Sequence, residues 1–167
     1  RKLYKEVSNI DVYEKLAPVI KWDFETPEDC NKWELLANTT VPVYDPVEKA
    51  FVGETLTNDG HIRMSNIPEN YFSGDKCRYL HVCMKVEEGG GKNAQIYYVN
   101  NTSGNWSGSM GKNFDIIADG EYHDYYVDLS KATALSGEIK SLRFDPNNSP
   151  AGYAIKTIEF LSDTYLN

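Results

Sequence analysis

No run of lysine or arginine in the 167-residue chain is long enough to build a cationic stripe, and 17 basic residues face 25 acidic ones for a formal charge of −8. Nucleic acid and anionic membrane surfaces are therefore not expected partners, because both recruit proteins through clustered positive charge. No apolar run approaches the roughly 20 residues that a membrane-spanning helix needs. Arg1 opens directly into polar sequence with no charged and then apolar leader, so the chain reads as an excised or processed piece of something longer. Motifs of the Gly-x-Ser-x-Gly, His-Glu-x-x-His and phosphate-loop types are missing. His61, His81 and His123 lie on separate segments, with neither cysteine nor histidine at zinc spacing. Cysteine is scarce and odd in number, so Cys30, Cys77 and Cys83 leave at least one thiol unpaired within the chain. Cys77 and Cys83 are six residues apart in one extended segment, roughly 20 Å if it is straight, which forbids their pairing. All three read as small buried apolar groups, with a bridge from Cys30 to either partner left open.

What the sequence does have is aromatic residues, 12 Tyr, 6 Phe and 3 Trp, amid Asn, Gly, Ser and Thr. That mixture suits strands joined by polar turns. Period-two alternation recurs after about residue 20: Ile20 to Glu25, Leu80 to Val86, Ala94 to Val99, Tyr122 to Leu129, Ile139 to Asp145 and Tyr153 to Leu161. Glu87-Glu88-Gly89-Gly90-Gly91 predicts a flexible hairpin after the second of these, and Pro146 and Pro150 forbid continued pairing between the last two. With no long helical period, the expected fold is all-β, an antiparallel two-sheet jelly-roll β-sandwich formed by residues 20–167 as one module. Residues 1–19 read as an N-terminal extension or linker, with a short helix from Asp11 to Ala17 stopped before Pro18. One core is expected to collect Leu80, Val82, Met84, Ile96, Val127, Leu129, Leu142, Phe144, Ile158 and Phe160, with Trp22 and Trp33 beside it.

The order of several short segments resembles bacterial carbohydrate-binding modules with the galactose-binding-like jelly roll, including xylan- and glucan-binding families appended to secreted glycoside hydrolases. The segments are Trp22-Asp23-Phe24-Glu25 with Trp33 downstream, Gly60-His61-Ile62-Arg63-Met64, Gly120-Glu121-Tyr122 leading to Val127-Asp128-Leu129, residues 139–146, and Ile155-Lys156-Thr157-Ile158-Glu159-Phe160. The resemblance covers about residues 20–162. It implies a non-catalytic module that binds polysaccharide or oligosaccharide, a secreted or cell-surface location, and a monomeric unit within a multidomain chain. It also implies a structural calcium site using Glu25. The family's last strand carries an aspartate where this chain has Lys156, and an ammonium cannot coordinate Ca²⁺. Asp145, Asp23 and carbonyls near Asn58 are the remaining candidate ligands, and an ion pair between Glu25 and Lys156 is the alternative.

Alternation alone also suggests a binding face. If Val82, Met84, Ile96, Tyr98, Tyr125, Val127, Leu142 and Phe144 point inward, then His81, Tyr97, Tyr126 and Arg143 point outward. Planar side chains with donors and acceptors suit a sugar, whose C–H patches stack on rings and whose hydroxyls need partners. Trp106 lies in a Gly/Ser/Asn loop and is expected beside them. Two alternatives stay open: the sheets expose different subsets of these residues, or the N-terminal segment covers them. In that case the tips around Tyr44, Tyr71 and Trp106 are the next candidates. Asp124 and Asp128 share a strand face and form the one conceivable pair for glycoside hydrolysis, although surface strands carry such charges routinely. A structural or adhesive domain of a surface protein is the remaining function class.

Overall fold

Period-two segments bounded by glycine and proline become strands wherever one face can be buried. The computed structural model describes residues 2–3, 13, 15–65, 67–69, 71–100 and 110–166. Its strands are β1 (Lys2–Leu3), β2 (Leu16–Asp23), β3 (Leu35–Ala37), β4 (Val43–Asp45), β5 (Ala50–Thr55), β6 (His61–Met64), β7 (Tyr79–Val86), β8 (Asn93–Asn100), β9 (Gly111–Asp115), β10 (Tyr122–Asp128), β11 (Ile139–Asp145) and β12 (Ala151–Tyr165). Helix among the described residues is limited to short pieces such as α1 (Pro27–Cys30) and a 3₁₀ turn at Gly74–Lys76.

The strands form two sheets. The seven-stranded sheet runs β1-β10-β7-β12-β5-β4, with β2 also on β12, and the five-stranded sheet runs β3-β6-β11-β8-β9. The long strand β12 pairs with β5 through its first half and with β2 through its second, while β7 follows its other edge. Every named pair is antiparallel except β1 on β10. The architecture is the expected jelly-roll-like β-sandwich.

All ten residues expected in the core lie in one cluster between the sheets. Trp22 and Trp33 are in it too, meeting edge to face at 5.4 Å between centroids. Phe24 stacks on Phe51 at 5.4 Å and Phe72 on Phe160 at 5.8 Å, so aromatic pairs fill the space that aliphatic residues leave. The three cysteines are unbridged, and Cys30 and Cys83 are buried.

The structure differs from the sequence reading in three places. β2 begins at Leu16 and β1 pairs with β10, so the segment expected to be an extension contributes two strands to the seven-stranded sheet. Leu16 is extended, not helical, and is buried against Tyr126 and Leu161; Pro18 is tolerated because β2 pairs with β12 alone and is an edge strand. The glycine-rich turn after β7 is a corner and not a hairpin, because β7 belongs to one sheet and β8 to the other. A Cβ on Gly91 would sit 1.9 Å from Asn148 Oδ1, and the Gly91 amide donates to Asn147 Oδ1 at 2.6 Å. The corner is therefore clamped by the loop between β11 and β12.

Candidate functional site

The outward side of the five-stranded sheet is built by alternation: Ile62, Met64, Ile96, Tyr98, Leu142 and Phe144 are buried in the core, so their neighbours along each strand face away from it. Cross-strand registry then aligns Leu35 with Arg63, Arg63 with Arg143, Arg143 with Tyr97, and Tyr97 with Gly111. Four interstrand steps make this row roughly 19 Å long. Gln95 pairs with Asp145 on one side and Asn113 on the other, giving the next row a run of polar groups.

Tyr97 is half-buried and held from three directions. Its hydroxyl donates to Gln95 Oε1 at 2.8 Å, and the Gln95 amide donates in turn to Asn113 Oδ1. The Arg143 guanidinium carbon lies 4.9 Å from its ring centroid. Its ring edge lies against the Gly111 backbone, where an added Cβ would approach Tyr97 Cδ1 to 2.6 Å.

Arg143 is more constrained than alternation suggests. Its Nε and Nη2 donate to the two oxygens of Asp145 at 2.8 Å each, and Nη2 also donates to Asp59 Oδ1 at 2.6 Å. Burial pulls its proton affinity down, but the Asp145 and Asp59 bonds outweigh that and raise it. Arg143 thus stacks on Tyr97 with most of its donors already engaged within the chain.

Asp59, His61 and Asp145 bring their ligand atoms within 4.8 Å of one another. Burial, followed by the Arg143 charge, lowers the His61 proton affinity, and its Nδ1 lies 3.0 Å from the Asp59 carbonyl. A carbonyl only accepts, so Nδ1 carries the hydrogen and Nε2 is the ring's acceptor. Both carboxylates already accept from Arg143, and a calcium ion needs six to eight oxygens. The cluster does not fit calcium. Of the two expected metal ligands, Asp145 lies in this group and Glu25 does not: Glu25 Oε1 lies 3.5 Å from Lys156 Nζ, the ion-pair alternative.

His81 and Tyr126, expected on the same platform, are on β7 and β10 of the other sheet, 5% and 6% exposed. Their rings stack at 4.3 Å and 5°, and Tyr13 stacks on Tyr126 at 4.8 Å. Of the two alternatives left open by the sequence, the first holds, since the sheets divide the four residues, and the second holds as far as Tyr13, which lies over Tyr126. Trp106 lies outside the described residues. Tyr44 donates its hydroxyl to the Glu25 carbonyl at 2.9 Å, and Tyr71, 42% exposed, lines an open groove at the sandwich end. Arg63, Gln95, Asn113 and Gly111 were missed, although Arg63 alternates with Ile62 and Met64 and was legible by the same rule that found Arg143.

No protein-family model and no curated protein matches the chain. Solved structures do. An agarase, AgWH50C, aligns with a TM-score of 0.58 at 12% identity over 87% of this chain and 26% of its own. The fold is a shared one. Weaker likenesses are a family 29 carbohydrate-binding module from Piromyces equi (TM-score 0.48, 11% identity, 76% of this chain and 77% of that one) and a module of Cellvibrio mixtus lichenase 5A in complex with cellotriose (TM-score 0.49, 12%, 87% and 98%). The sandwich therefore corresponds to about a quarter of the agarase chain.

Proposed function

We propose that this sandwich is a non-catalytic carbohydrate-binding domain that receives a glycan chain across the outward face of the five-stranded sheet. The observation that carries the reading is the single cross-strand row Leu35–Arg63–Arg143–Tyr97, flanked by the amides of Gln95 and Asn113. It offers a ring for stacking, planar donors for hydroxyls, and a length that accepts a chain rather than a single small molecule. On the other outward face Tyr13 stacks on Tyr126, which takes that ring out of use as a sugar platform. We read the chain as part of a larger, secreted or surface-bound glycan-active protein; an agarase carries a sandwich of this fold over about a quarter of its length. Structural calcium is not part of the proposal, since Glu25 and Asp145 are each bound to a cation of the chain.

Affinity gel electrophoresis against a polysaccharide panel tests the reading with the wild type and Tyr97→Ala. A sugar ring stacked on Tyr97 contributes about 1 kcal/mol, so the variant should bind about five-fold more weakly at a melting temperature within a few degrees of wild type. Equal retardation of the two proteins on the best polymer rejects the face as the site.

A further inference from the structure

Arg63 and Arg143 are direct cross-strand partners on the same outward face. Like charges in that position repel, so each needs compensation. Arg143 has it in Asp145 and Asp59. Arg63 has none: among the described residues no carboxylate pairs with it and no acceptor takes a hydrogen bond from it, and its buried Nε is without a partner. Buried donors are ordinarily hydrogen-bonded, so the unmet Nε–H of this half-buried guanidinium is unusual for a folded domain, while its terminal nitrogens reach solvent. Its other neighbour in the row is Leu35, 39% exposed and uncharged. The face thus carries an unmatched cation between an arginine and an apolar residue, beside the tyrosine proposed to stack a sugar.

A hydroxyl on a neutral sugar would accept from Arg63 but would bring it no direct countercharge. An anion does both, and its charge-assisted bonds are about twice as strong as neutral ones. Carboxylates and sulfates also match the guanidinium fork in shape. Asp59 and Asp145 place two negative charges on the Arg143 side, so the anion sits on the Leu35 side of Arg63. The chain's formal charge of −8 opposes an acidic polymer at long range, but screening limits that to about 8 Å at physiological salt, and the contact with Arg63 is closer.

We propose that this face selects anionic glycans, Arg63 receiving a carboxylate or sulfate of the chain while Tyr97 stacks a neighbouring ring. The proposal rests on the reading of the face as the glycan site. Four polymers separate the possibilities in affinity electrophoresis of the whole chain: polygalacturonan, its carboxyl-reduced form, a sulfated galactan, and the same galactan desulfated. At least one anionic polymer should bind about tenfold more tightly than its neutral counterpart, and the pair showing the difference identifies carboxylate or sulfate as the group recognised. Arg63→Gln should collapse that ratio to about one, with Arg63→Lys intermediate because it keeps the charge and loses the fork. Melting curves confirm that each variant is folded. A preference that survives in folded Arg63→Gln overturns the proposal, and so does tighter or equal binding of the neutral forms, which leaves the glycan site standing. Retardation by none of the four, nor by any neutral polysaccharide of the wider panel, overturns both.

Discussion

His81 carries the most demanding electrostatics of any single residue in the described chain. Its Nδ1 lies 2.7 Å from Glu159 Oε2 and its Nε2 lies 2.7 Å from Asp124 Oδ1. Ionised carboxylates only accept, so both ring nitrogens donate and the residue is an imidazolium. Burial alone would strip that proton, but the bonds to Asp124 and Glu159 outweigh it and raise the pKa above the ordinary value of 6.5. The stabilisation is therefore complete below about pH 6.5 and is lost as the pH rises through the higher folded value. Wild-type melting temperature should fall on going from pH 6.5 toward 9, and that slope should be reduced in His81→Gln. At pH 6 the substitution should cost about 3–5 kcal/mol, since it leaves buried carboxylates without their cation. A wild-type melting temperature flat across this range in differential scanning fluorimetry would show that His81 is not held charged. The same residue shows where reading by alternation stops: it faces outward from its sheet as expected, yet the stacked Tyr126 ring and the Asp124 and Glu159 carboxylates leave it 5% exposed. Outward from a sheet and exposed to solvent are different properties.

At the scale of elements, β9 is the edge strand that shapes the candidate site, and Gly111 is its critical position. A Cβ there would stand 2.6 Å from Tyr97 Cδ1 and 2.9 Å from the Ile96 carbonyl oxygen, inside any real contact distance. The tyrosine ring and the edge strand must both yield. Gly111→Ala should therefore lower glycan affinity about as much as Tyr97→Ala while costing roughly 1–3 kcal/mol of stability, the range for overpacking. Affinity electrophoresis paired with thermal melts checks this, and unchanged binding would mean that Tyr97 does not need its present orientation. The strands themselves were readable because each alternates core and outward side chains, a period of two that shows cleanly in the burial of β8, whereas β7 and β10 are buried on both faces. Membership in a sheet was not readable. Alternation carries no information on which of two stacked sheets a strand joins, so Tyr97 on β8 and Tyr126 on β10 looked equivalent, although pairing with β11 and β7 respectively sends them to opposite faces of the molecule. The corner after β7 was mistaken for a hairpin for the same reason: Gly89, Gly90 and Gly91 announce a turn but not its destination.

At the scale of the whole molecule, the question is whether the proposed binding face could also break a glycosidic bond. Glycoside hydrolysis needs two carboxyl groups roughly 5 to 10 Å apart across the scissile bond, one protonated to donate and one ionised. Asp124 is 1% exposed and bonded to His81, so no substrate reaches it and its proposed pairing with Asp128 fails on access. On the candidate face, Asp59 and Asp145 share Arg143, which neutralises the position a nucleophile or base would occupy. Thiol chemistry is no better placed. Burial pushes the Cys30 thiol up to about 11 and the Cys77 thiol up to about 12, far from the thiolate a nucleophile requires. The alignment takes in 26% of the agarase, so about three quarters of that chain lies outside the shared sandwich. The purified chain should accordingly retard polysaccharide in a gel and release no reducing ends from the same polymer over a day at neutral pH. Reducing-sugar release that disappears with Asp145→Asn or Asp59→Asn, in variants that still melt cooperatively, would convert the face from a platform into an active site.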